Sequence, residues 1–111
     1  MEKIVHICGC PDWLSAQANG AYRAASLDTE GFIHCSRPDQ ALKVVNMFYQ
    51  DAPNLCLLWI EPEKLNAELR WEAADGDQFP HLYGVLNLDA VIAVSDFTPD
   101  ADGVYRTLPE I

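Results

Sequence analysis

The chain is short of positive charge. It carries seven Lys and Arg against seventeen Asp and Glu, a formal net charge of −10. Duplex nucleic acid is excluded as an obligate partner, because neutralising its phosphates takes clustered cations. A small anionic or nucleotide ligand in a locally favourable pocket is still allowed. Long apolar runs are also missing: none approaches the ~20 residues that span a bilayer, so no membrane partner is expected. The opening Met1-Glu2-Lys3-Ile4-Val5-His6 lacks the basic region and apolar core of a secretory leader. Cys8, Cys10, Cys35 and Cys56 are therefore expected as reduced thiols in a cytoplasmic protein. Cys8-Gly9-Cys10 has the wrong spacing for a C-x-x-C redox or zinc motif, and no bound metal is expected. There is no Gly-rich phosphate loop, no H-E-x-x-H and no G-x-S-x-G, which removes the common nucleotide-hydrolase, zincin and α/β-hydrolase readings.

What is present is a chain of 111 residues, half of it apolar. That is enough for one domain over 1–111 with a real core. Residues 3–8 read as a strand. Pro11 and Asp12 open a helix that Asn19-Gly20 stops. Ala21 to Glu30 reads as irregular, and Phe32 to Cys35 as a second strand. Ser36 or Arg37 caps the next helix, with Pro38 in its first turn and Asp39 at the three-residue spacing of a capping box from Ser36. Ala41, Val44, Val45 and Phe48 share a helical face. Leu55 to Ile60 suits a strand buried on both faces. Leu69–Ala73, Phe79–Leu86 and Val91–Phe97 are extended, Asp75–Asp77 is a loop, and a short last strand runs through Val104 and Tyr105. The order predicts an α+β domain with a bent or split, mainly antiparallel sheet and two main helices in the first half.

All three histidines lie inside apolar extended segments: Val5-His6-Ile7, Phe32-Ile33-His34-Cys35 and Phe79-Pro80-His81-Leu82-Tyr83. One such ring is ordinarily a satisfied core residue. Three together suggest one shared pocket, with Ser36 at its edge, because imidazole donates, accepts and titrates near neutral pH. Ser36 also stands where helix N-terminal amides favour an anion. Glu72 has two readings. It is a solvent-facing carboxylate on an alternating strand, or, if Trp71 faces outward, it points into the pocket as a base or a partner for positive charge. Glu30 is a weaker candidate. Phe79 and Tyr83 either belong to the core or wall a flat ring. Tyr22, Arg23 and Ser26 lie in a stretch suited to holding ligand groups, and Arg23 is one of few cations available to an anion.

His6-Ile7, Trp13, Gly20, Tyr22, Ser26-Leu27, Glu30-Gly31-Phe32-Ile33-His34-Cys35-Ser36, Gln40, Phe48-Tyr49, Glu72, Phe79-Pro80-His81-Leu82-Tyr83-Gly84 and Asp102-Gly103 resemble the bacterial family called domain of unknown function 952. That family in turn looks like a compact member of the ADP-ribosyltransferase-type fold, nearest the RNA 2′-phosphotransferases. The resemblance implies NAD as a co-substrate, with no tightly bound cofactor. It places His6 and His34 at the family's two histidine positions, with Glu72 or His81 filling the third. It implies that His6 bonds ribose hydroxyls, that His34 holds the nicotinamide-side ribose or the pyrophosphate, and that Tyr83 stacks on the ring. The chain lacks the phosphotransferases' N-terminal RNA-binding domain. Two other readings stand beside this one: a metal-dependent enzyme with His6, His34 and His81 as ligands and water in the fourth position, and a non-catalytic ligand-binding module.

Overall fold

The computed structural model describes residues 2–110. In chain order the elements are β1 (Ile4–Gly9), α1 (Cys10–Asn19), β2 (Ala21–Tyr22), α2 (Ser26–Thr29), β3 (Ile33–His34), α3 (Ala41–Phe48), β4 (Leu55–Ile60), β5 (Glu68–Ala74), β6 (Asp77–Tyr83), β7 (Leu86–Asn87) and β8 (Val91–Phe97). The domain is α+β, with three small antiparallel sheets and few helices. Its sheets are ordered β1-β4-β8, β3-β6-β5 and β2-β7.

The unbroken apolar run of β4 is buried along its whole length, as a two-faced central strand must be. On one side Val5, Ile7, Leu57 and Trp59 pack against Ala41 and Val45 of α3. On the other, Ile4, Cys8, Leu58 and Ile60 meet Trp13 and Ala16 of α1 and Ile33 and Leu82 of the second sheet. The hairpin joining β5 to β6 turns on Asp75 (φ 50°) and Gly76 (φ 80°). Two adjacent positive φ values are what a two-residue turn needs to match strand twist, and Asp-Gly supplies them at low cost.

Residues 33–36 join the first two sheets. Ile33 and His34 pair with Leu82 and His81 of β6. Cys35 donates its N–H to the Pro80 carbonyl at 3.1 Å. In a strand, N–H and C=O of one residue point the same way, so the donor that Pro80 lacks also faces Cys35, and the ladder ends there. Ser36 then exchanges two backbone bonds of 2.8 Å with Val5 of β1.

The structure departs from the sequence reading in four places. Ala21–Glu30 is not irregular, since it holds β2 and α2. The strand expected through Val104 and Tyr105 is absent. The Asn46 side chain instead donates to the Tyr105 carbonyl and accepts its N–H, both at 2.8 Å. One amide thus does the work of a ladder rung, while the Tyr105 ring is buried edge-on against Phe97. The third helix is entered through a 3-10 turn, Pro38–Gln40. Its cap is the Gln40 side chain, whose Oε1 accepts the Arg37 N–H at 2.9 Å, so the expected Ser36–Asp39 box is not formed. Finally, the expectation of four reduced thiols is overturned by a Cys10–Cys56 disulfide, with Cα atoms 5.1 Å apart. Cys56 lies at the end of the β1–β4 ladder where α1 begins, and the turn into α1 delivers Cys10 to it. Cys8 and Cys35 are free and buried. Among the described residues, no helix is long and apolar enough to cross a membrane.

Candidate functional site

The pairing of β3 with β6 sets His34 directly opposite His81, so both imidazoles leave the same face of the sheet. Their ring centroids are 5.5 Å apart, edge to face. Phe32, two residues before His34, shares that face and stacks on His81 at 4.1 Å with an interplanar angle of 15°. The β5–β6 register puts Arg70 opposite His81 and Glu72 opposite Phe79. Glu72 therefore reaches His81 diagonally, and its Oε1 lies 2.8 Å from Nδ1. Tyr83 donates its hydroxyl to the same oxygen at 2.5 Å. These two hydrogen bonds, from Tyr83 first and His81 second, hold the Glu72 carboxyl below its ordinary range. The Arg70 guanidinium lies over the Tyr83 ring, 4.3 Å from its centre.

Of these groups, His34, His81 and Phe32 border a cleft of about 500 Å³, a volume typical of small-molecule pockets, whereas Glu72, Tyr83 and Arg70 do not line it and stand behind His81. His34, His81, Ser36 and Phe79 line it, with Val44, Phe48 and Tyr49 forming an apolar wall and Glu30 and Asp75 on its border. His34 is half exposed, and its Nε2 lies 2.9 Å from Glu30 Oε2. His81 is buried. Among the described residues, nothing hydrogen-bonds His81 Nε2, His34 Nδ1 or the Ser36 hydroxyl. Each imidazole is thus steadied by a carboxylate through one nitrogen and keeps the other free. That is the arrangement acid–base chemistry or ligand hydrogen bonding requires.

His6 does not line this cleft. It lies behind His34, 5% exposed. Its Nδ1 is 2.5 Å from the His34 carbonyl and its Nε2 is 2.9 Å from the Tyr22 hydroxyl. A carbonyl only accepts, so Nδ1 carries the proton, and Tyr22 donates to the bare Nε2. Burial lowers the His6 pKa to about 4 and keeps the ring neutral. With both nitrogens engaged, His6 is not free to act as the third ligand of a metal site. Among the described residues, the histidines join no group of three ligand atoms close enough to share an ion.

The remaining candidates separate. Tyr22 and Arg23 border a different hollow of about 360 Å³ beside α1, and Arg23 is paired with Asp28 at 2.5 Å. Ser26 opens α2, where its carbonyl accepts the N–H groups of Glu30 and Gly31. At Ser36, where an anion was expected, the Ser36 amide is bonded to Val5 and the Arg37 amide to Gln40, while Ser36 itself lines the cleft. Trp71 is 41% exposed, and Glu72 reaches the Nδ1 of His81 without lining the cleft itself. Phe79 is both buried and part of the cleft wall. Phe32 and Arg70 were missed, although period-two spacing from His34 and Glu72 places both on the site face.

An α+β domain with two carboxylate-backed histidines on one rung of a small antiparallel sheet defines the class. The family model described as "Protein of unknown function (DUF952)" matches residues 7–94, and the chain belongs to that family. It is similar to protein CC0527 from Caulobacter crescentus. The X-ray structure of that protein aligns with TM-score 0.85 at 37% identity, covering 94% of this chain and 93% of that one. Its solution NMR structure aligns with TM-score 0.82 at 37% identity, covering 96% and 93%. No curated protein matches the chain.

Proposed function

We propose that the cleft binds the nicotinamide–ribose end of NAD+ and that the protein is an ADP-ribosyl-transfer-type enzyme, the activity implied by the likeness read from its sequence motifs. The observation that carries this reading is the His34–His81 pair, each ring backed by a carboxylate, beside aromatic walls in a cleft with acidic groups at its border. The nicotinamide ring of NAD+ is flat, aromatic and cationic. Phe32, Phe48 and Phe79 offer aromatic surfaces, and Glu30 and Asp75 offer negative charge. No Lys or Arg lines the cleft among the described residues, so the end of the ligand that enters is the cationic one rather than the diphosphate. Breaking the ribose–nicotinamide bond builds positive charge on the ribose, which a fixed negative surround stabilises. The free nitrogens of His34 and His81 serve the ribose hydroxyls. His81, oriented by Glu72, is placed to take a proton from an acceptor. His6, given the ribose by family resemblance, acts here through the backbone of His34.

Calorimetric titration with NAD+, nicotinamide mononucleotide and NADH tests this, together with chromatography for released nicotinamide. NAD+ should bind and NADH, whose ring is uncharged, should bind more weakly. His34→Ala and His81→Ala should each weaken NAD+ roughly two- to tenfold, the worth of one hydrogen bond to a ribose hydroxyl, and Glu30→Ala should weaken it less. Binding without nicotinamide release identifies a nucleotide-binding relative. No binding of any dinucleotide at millimolar concentration removes NAD and leaves family and fold standing.

A further inference from the structure

Outside the cleft, one group of metal-ligating side chains converges among the described residues. The Cys10 and Cys56 sulfurs and an Asp96 carboxylate oxygen all lie within 4.8 Å of one another. Asp96 is the ladder partner of Cys56 across β4–β8, so both side chains leave the same face. Cys10 reaches that end from the first turn of α1. Asp96 is exposed and makes no hydrogen bond or ion pair among the described residues, so its oxygens are free. We propose that Cys10, Cys56 and Asp96 form a site for a soft divalent cation such as Zn²⁺ once the disulfide is reduced.

The chemistry balances with a dithiol as reductant. The Cys10–Cys56 bond takes two electrons and two protons from the dithiol, which closes to its own disulfide. Cation binding then displaces the two thiol protons to solvent. About a tetrahedral ion with Zn–S near 2.3 Å, the sulfurs sit ~3.8 Å apart, and the Asp96 oxygen completes a third position. Water takes the fourth. Two thiolates and a carboxylate suit Zn²⁺ better than Mg²⁺ or Ca²⁺, which prefer all-oxygen shells. Disulfide and cation exclude each other, because both need the same two sulfurs. The third nearby thiol, Cys8, packs in the core opposite Cys56 and is not in the ligand group. This inference is independent of what the histidine cleft binds.

The test is anaerobic titration of Co²⁺, as a coloured stand-in for Zn²⁺, into the untagged full chain, oxidised and reduced. The reduced protein should take one ion per chain with a thiolate-to-cobalt charge-transfer band, and the oxidised protein none. Asp96→Asn should keep the band but weaken the ion at least tenfold. Cys10→Ser should lose the band although Cys8 and Cys35 remain. If reduction alone loosens the fold by circular dichroism, the ion should restore it, and failure to restore it overturns the proposal. So does an absent band in folded, reduced protein, a band that survives Cys10→Ser, or an Asp96→Asn variant that binds as tightly as wild type.

Discussion

Taking the pH from 7 to 5 should remove about 2 kcal/mol of folding stability through a single side chain, His6. Burial lowers its pKa to about 4 in the folded protein, against about 6.5 in an unfolded chain. Between those values the unfolded chain binds the proton and the native one does not, so stability rises with pH there. The contribution is complete above about pH 6.5, is lost as pH falls toward 4, and changes no further below that. Integrating the two titrations over pH 7 to 5 gives about 2 kcal/mol. The carboxyls held low, Glu63, Glu68, Glu72, Asp77 and Asp102, are lowered from ordinary values of 4.5 for Glu and 3.8 for Asp, so their losses come at still lower pH. The assay is urea unfolding followed by tryptophan fluorescence at pH 7, 6 and 5. His6→Gln does not titrate, yet it offers an amide donor toward the His34 carbonyl and an oxygen acceptor toward Tyr22. Its stability should be nearly flat over the same window. If wild type and His6→Gln lose the same amount, the buried neutral imidazole is not the cause.

Tyr22→Phe should cost about 1–2 kcal/mol in the same assay, because His6 Nε2 is left as a buried acceptor without its donor. Gly84→Ala should cost about 1–3 kcal/mol, since an added Cβ would lie 2.7 Å from the Ala67 Cβ; Ala67→Gly should return most of the loss. Glu72→Gln should lower NAD+ affinity roughly tenfold by calorimetry, since His81 loses its charged partner. Reducing the Cys10–Cys56 bond, which spans a sequence separation of 46 residues, should lower the urea midpoint by the equivalent of about 2–4 kcal/mol.

The sequence patterns located the large elements well. The run Leu55–Ile60 suits a strand buried on both sides, and it is one. The apolar face of Ala41, Val44, Val45 and Phe48 marked the α3 helix, of which Ala41 and Val45 are buried while Phe48 is 60% exposed. The short pieces were illegible: β2 and β7 are two residues each and exist because they pair with each other, which no local pattern encodes. For the site, alternation along β5 and β6 carried Glu72, His81 and Tyr83 to one face. It did not separate His6 from His34. Both lie in apolar strands, but the two leave different sheets, and only the crossover at Ser36 turns one ring to the cleft and the other to the interior. The disulfide was hidden for a related reason. Its partners are brought together by the start of α1 against the end of β4, not by any spacing between them.

The placement of His34 and His81 on one rung has a consequence for how sequences of this kind can drift. A strand's side chains alternate, so slipping β6 by one residue against its neighbours would present Leu82 to the cleft and turn His81 into the core. A single-residue insertion or deletion between Glu72 and His81 would break the diagonal contact even if every named residue were kept. The segment from Glu72 to Tyr83, including its Asp75-Gly76 turn, is therefore a fixed-length ruler.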